Sequence, residues 1–109
     1  MVARRRHKHK HRRYNKHDRL WRQLVLKRDN YTCDITGQQL SPKKLRAHHL
    51  ESYAWNKLQR CNINNGVTLS IREHDLFHEW MGGIEIRCTK KDYETYKAQR
   101  IRELLVLGV

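Results

Sequence analysis

Four histidines and one asparagine near the middle of the chain have the residue types that do chemistry: His48 and His49 side by side, then Asn65, then His74 and His78. On a helix, residues four apart stand one above the other with Cβ atoms about 5–6 Å apart. A helical His74–His78 pair can therefore offer two imidazoles to one cation. On a strand, neighbours point to opposite faces, so one of His48 and His49 can face the same ion while the other serves a different purpose. An ion held by three imidazoles keeps positions open for water and another oxygen ligand. The remaining histidine can accept a proton, because the unperturbed imidazole pKa lies near neutrality. The chain has eight histidines, so an isolated pair at helical spacing reads equally as surface or packing residues. The adjacent His48–His49 pair favours a metal centre.

The elements needed to position these residues are visible in the pattern. Leu20, Trp21, Leu24 and Val25 recur at helical spacing and predict a short amphipathic helix over 18–29. A turn-rich stretch with Gly37 and the only proline, Pro42, follows. Residues 45–51 read as a strand, 52–66 as a long loop ending in an Asn-Asn-Gly turn, and 67–71 as a second strand. Ser70 and Glu73 have capping-box spacing and predict a helix that carries His74 and His78. Gly82-Gly83 suits its left-handed stop. Ile84, Ile86 and Cys88 alternate and suggest a short strand. Thr89 and Asp92 repeat the capping-box spacing and open a last helix over about 90–106, with Tyr93, Tyr96, Ile101, Leu104 and Leu105 on one side.

Length and charge limit the rest. The 109 residues allow one domain, and 38% hydrophobic content allows a small core. The formal charge is +13 and the pI about 10.2, which points to a polyanionic partner. Residues 1–17 hold eight Lys or Arg, four His and no acid. They read as a disordered basic arm before a folded unit over 18–109, with Arg4, Arg5, Arg6, Lys8, Lys10, Arg12 and Arg13 as phosphate contacts. No apolar run approaches the roughly 20 residues of a membrane span, and no apolar segment follows the basic start, so neither a membrane nor a secretory signal is expected. Cys33, Cys61 and Cys88, an odd number at wide spacing, do not read as a disulfide framework and suggest an intracellular setting.

The stretch LRAHHLESYAWNKLQRCNINNGVTLSIREHDLFHEW resembles the HNH endonuclease motif. It has a strand ending in His-His, a variable loop, an Asn before Gly-Val-Thr-Leu, and then His-x3-His on a helix. The upstream RDNYTCDITGQQL resembles the family's usual lead-in, and the likeness spans about residues 21–83. It implies an α+β fold, the ββα-metal (His-Me finger) motif flanked by N- and C-terminal helices. It also implies a metal-dependent DNA endonuclease of the short phage or mobile-element type, working in a host cytoplasm. The resemblance makes His48, His74 and His78 the metal ligands, His49 the general base, and Asn65 the residue that braces the loop and helps orient that base.

Many HNH proteins also carry two Cys-x2-Cys pairs that hold a structural zinc. Here those places read Cys33 with Thr36 and Ser70 with Glu73, so no structural zinc is expected and Cys33 becomes a core residue. The catalytic ion is one divalent cation, Mg, Mn, Ni or Zn; imidazole softness favours the last three over Mg, although resembling enzymes often use Mg. No small-molecule cofactor is implied. DNA contacts beyond the arm are expected from Lys43, Lys44, Arg46 and Arg72, with Trp55 either stacking on DNA or anchoring the core. A monomer or weak dimer is expected, with nicking as the default outcome. The rival reading is a non-catalytic basic nucleic-acid-binding module with a structural metal, which leaves the His48–His49 pair and Asn65 without a role.

Overall fold

The computed structural model describes residues 16–52 and 57–108. The expected basic arm, including Arg4, Arg5, Arg6, Lys8, Lys10, Arg12 and Arg13, lies outside the described residues apart from its last two, Lys16 and His17; so does Trp55. Among the described residues, three α-helices and one hairpin follow in the order α1 (Lys16–Arg28), β1 (Leu45–His49), β2 (Gly66–Ser70), α2 (Ile71–Met81) and α3 (Lys90–Leu107). The fold class is α+β: a ββα unit with a helix before it and a helix after it.

The hairpin is the spine of the molecule. Its strands pair antiparallel, Leu45 opposite Ser70 and His49 opposite Gly66. Because side chains alternate, Leu45, Ala47 and His49 share one face with Gly66, Thr68 and Ser70. Arg46 and His48 share the other with Val67 and Leu69. The first face packs on α1 through Trp21, Val25 and Leu26, all buried. The second packs on α2 and α3, where Val67, Leu69, Phe77, Tyr93 and Tyr96 join Cys33, Ile35, Leu50 and Cys88 in the main core. β2 is buried along its whole length, as a strand covered on both faces should be.

Helix ends follow local chemistry. Ser70 Oγ accepts the Glu73 N–H at 3.1 Å and caps α2, and Gly82 ends that helix at φ +99°, a conformation that suits glycine. Thr89 and Asp92 form a reciprocal capping box at the start of α3. Glu51 adds a further acceptor there, taking the Lys90 N–H at 2.9 Å.

Four expectations need correction. α1 starts at Lys16 rather than Asp18, and Leu20 and Leu24 lie on its solvent side while Asp18 and Leu26 turn inward. Ile84, Ile86 and Cys88 form no strand. Both isoleucines are exposed, and Cys88 alone turns inward, its N–H donating to Ser52 Oγ at 2.7 Å. Leu105 is exposed, not part of the inner side of α3. Finally, Ser70 and Glu73 make only half a capping box.

The Glu73 carboxylate instead turns into the core, almost fully buried. There it takes two hydrogen bonds from Arg100, at 2.9 and 3.0 Å, and one from the Tyr96 hydroxyl at 3.5 Å. This fork joins α3 to the first turn of α2, the helix that carries His74 and His78. Removing one partner of a buried pair leaves a charge without compensation. Arg100→Ala should therefore lower stability by about 3 kcal/mol, seen as a urea midpoint lower by about 2 M. The double replacement Glu73→Met with Arg100→Met should recover much of that loss. A midpoint unchanged in Arg100→Ala would show that the fork contributes nothing.

Candidate metal centre

His48 and His49 do separate across the hairpin. His48 is buried and turned toward α2, where its ring centroid lies 5.3 Å from that of His74 and 5.5 Å from that of His78. Phe77 and Tyr93 close the site from below, with ring centroids 4.9 and 5.7 Å from His48. One ligating nitrogen from each of His48, His74 and His78 can be chosen so that all lie within 4.8 Å of one another. The His74 and His78 Nε2 atoms are 3.1 Å apart. Two nitrogens on a tetrahedral ion with bonds of about 2.0–2.1 Å stand about 3.3 Å apart, so the pair has nearly the spacing that shared ligation requires.

A second observation concerns His48. Its Nε2 is buried and has no hydrogen-bond partner among the described residues. Leaving a buried polar atom unsatisfied is costly, and a cation between the three rings would remove that cost. Protonation would not: burial pushes the His48 pKa well below its usual value, and the neighbouring His74 and His78 push the same way. His74 is lowered to about 3, by burial first, then by His78 and Arg46. His48 and His74 are thus held neutral, the form that binds metal. These three residues form a site that fits one divalent ion.

This is a ββα arrangement with a metal-binding histidine cluster. No family model, curated protein or solved structure matches the chain. The reading of the site therefore rests on its own geometry, which is consistent with an HNH-like, ββα-metal arrangement.

His49 lies on the opposite face, half-buried. Its Nε2 is 2.9 Å from the Arg60 carbonyl. A carbonyl can only accept, so Nε2 carries the proton and Nδ1 is the basic nitrogen. Burial lowers the His49 pKa, while the Arg60 carbonyl and the charge of Asp18 oppose that shift. Asn65 is buried between the loop and the strand. Its Oδ1 accepts the Glu51 N–H at 2.8 Å, and its Nδ2 donates to the carbonyls of Glu51 at 3.1 Å and Gln59 at 3.2 Å. The Asn65 carbonyl takes the Leu50 N–H at 2.9 Å. One side chain thus ties the end of β1 to the segment that supplies the Arg60 carbonyl.

Of the basic residues singled out in the sequence, Lys43, Lys44, Arg46 and Arg72 are all exposed. Arg46 shares the His48 side of β1, and its charge reaches His74, which puts it at the rim of the centre. Lys43 and Lys44 lie on the short 3-10 turn leading into β1, and Arg72 on the first turn of α2.

Two supports were missed by sequence reasoning. Arg28 donates to the Ile63 carbonyl at 2.6 Å and the Gly66 carbonyl at 2.7 Å, and also forks onto Asp29. Asp29 in turn accepts the Thr68 N–H at 3.1 Å. Burial disfavours the Asp29 carboxylate, yet the hydrogen bonds from Arg28 and Thr68 win, and its pKa falls. The end of α1 is thereby lashed to the turn that carries Asn65. The second support is Trp21, which stacks on His49. The only available signal for Arg28 and Asp29 was their place in the lead-in RDNYTC; for Trp21 there was none beyond its helical spacing.

Proposed function

We propose that this protein is a metal-dependent DNA endonuclease of the HNH kind. The observation that carries the reading is the convergence of His48, His74 and His78, with His49 one residue away on the other face of the same strand. His48, His74 and His78 would hold the ion. When bound, a divalent cation there would supply Lewis-acid stabilisation of the charge that develops on the phosphate and its leaving group.

The chain's own groups do the rest. His49 takes a proton at Nδ1 from a water in line with the scissile bond, while the Arg60 carbonyl holds Nε2–H and keeps the tautomer. Asn65 fixes the distance between His49 and that carbonyl by tying residues 51 and 59. Arg46 meets a phosphate at the rim. Lys43, Lys44, Arg72 and the basic arm, with Arg4, Arg5, Arg6, Lys8, Lys10, Arg12 and Arg13, follow the backbone of the duplex. Their contribution is sequence-independent and falls with salt. Products with 5′-phosphate and 3′-hydroxyl ends follow from the family resemblance, as does a phage or mobile-element role inside a host cell. One centre per chain makes a nick the primary product. Among the described residues, no helix is long and apolar enough to cross a membrane.

Incubation of supercoiled plasmid with the protein and Mn or Mg tests this. Nicking or linearisation that EDTA abolishes is the expected result. DNA binding without cleavage across Mg, Mn, Ni and Zn would replace the enzyme with a non-catalytic binding module.

A further inference from the structure

Trp21 and His49 are 28 positions apart in sequence, yet their rings lie face to face, with centroids 3.7 Å apart and planes within 9°. The indole is itself anchored, since its Nε1–H donates to the Asn62 carbonyl at 2.9 Å. It fits because the residue paired with His49 across the hairpin is Gly66. A Cβ on Gly66 would stand 2.6 Å from Trp21 Cζ2 and 2.6 Å from Val25 Cγ2. An apolar core residue of similar size would fill this space without parallel stacking. The parallel geometry matters because His49 has two rotations to lose. The Arg60 carbonyl fixes the edge of the ring, and the indole face fixes its plane.

We propose that Trp21 is a positioning residue, whose indole holds the His49 imidazole plane so that Nδ1 faces the water it deprotonates. The proposal rests on the nuclease reading of His49. It explains why a buried tryptophan is held by a hydrogen bond of its own and meets a glycine on the opposite strand. Catalytic geometry is sensitive, and a displacement of about 1 Å can reduce rate by about 100-fold. A ring free to tip loses that alignment without losing metal or DNA.

The test compares Trp21→Phe, which keeps an aromatic face, with Trp21→Leu, which keeps apolar volume only. On plasmid or oligonucleotide DNA, Trp21→Leu should lower kcat by about 10- to 100-fold, with KM and the metal-induced rise in Tm unchanged. Trp21→Phe should stay within about threefold of the parent protein. A folded Trp21→Leu with unchanged kcat overturns the proposal and leaves the nuclease reading intact. Equal losses in the two variants also overturn it, because the stack survives in the first.

A readout independent of cleavage comes from NMR of the metal-free parent protein. The His49 ring should show one tautomer, Nε2–H, with carbon-bound protons shifted upfield by the indole. Unshifted signals or a tautomer mixture in the parent protein overturn the proposal even if Trp21→Leu does not fold. Absence of cleavage by the parent protein under every metal condition removes the nuclease reading alone, and the NMR arm still decides whether Trp21 orients His49.

Discussion

Replacing His49 with alanine is expected to lower kcat for DNA cleavage by about 100- to 10,000-fold, the usual range for loss of a positioned general base. The same variant should bind metal and DNA as the parent protein does. The separation follows from the hairpin: His49 points toward α1, and the three imidazoles that could hold an ion lie on the other side. The variant removes the group whose Nε2 meets the Arg60 carbonyl without touching a ligand. Because burial lowers the His49 pKa, the ring is neutral at physiological pH and ready to accept a proton. The measurements are single-turnover cleavage of a labelled duplex, metal-induced change in Tm, and DNA affinity at fixed salt. Cleavage at the parent rate would remove His49 as the base and leave a metal centre with another proton acceptor. Loss of metal binding would mean that the two faces of β1 are coupled through the backbone.

Much of this site was legible because its chemistry is local in sequence. Two residues of a strand must point oppositely, so His48 and His49 had to separate. Two residues four apart on a helix must align, so His74 and His78 had to meet. Ser70, Gly82, Thr89 and Asp92 mark helix ends through bonds to residues three or four positions away, and such bonds leave a spacing that can be read. What could not be read is what the fold brings together from a distance. Glu73 has the spacing of a capping box, yet a forked cation 27 positions later binds it more strongly than a single backbone N–H could. The stacking partner of His49 is 28 positions upstream, and nothing in the neighbourhood of Trp21 marks it as more than a core residue. The Ile84–Ile86–Cys88 alternation shows the opposite error. A period of two describes a strand only when an edge is present to pair with, and here only Cys88 finds a place inside.

The metal centre gives the second large effect. Saturating a site at about 100 times its Kd stabilises the folded state by about 2.7 kcal/mol, which for a domain of this size is a rise in Tm of roughly 10–20 °C. In the parent protein a divalent ion should produce such a rise, since it meets three pre-gathered imidazoles and satisfies His48 Nε2. In His78→Ala most of the rise should vanish. The metal-free Tm of that variant should stay near the parent value. His78 is only half-buried, and the neighbouring imidazoles it crowds are ones whose protonation it opposes. The pairing of these two results is what identifies a ligand. A packing residue would lower the metal-free Tm and leave the metal-induced rise in place, whereas a ligand does the reverse. A full metal response in His78→Ala would reduce the cluster to three histidines that happen to share a pocket, and the Lewis acid on which the cleavage chemistry depends would have no third anchor.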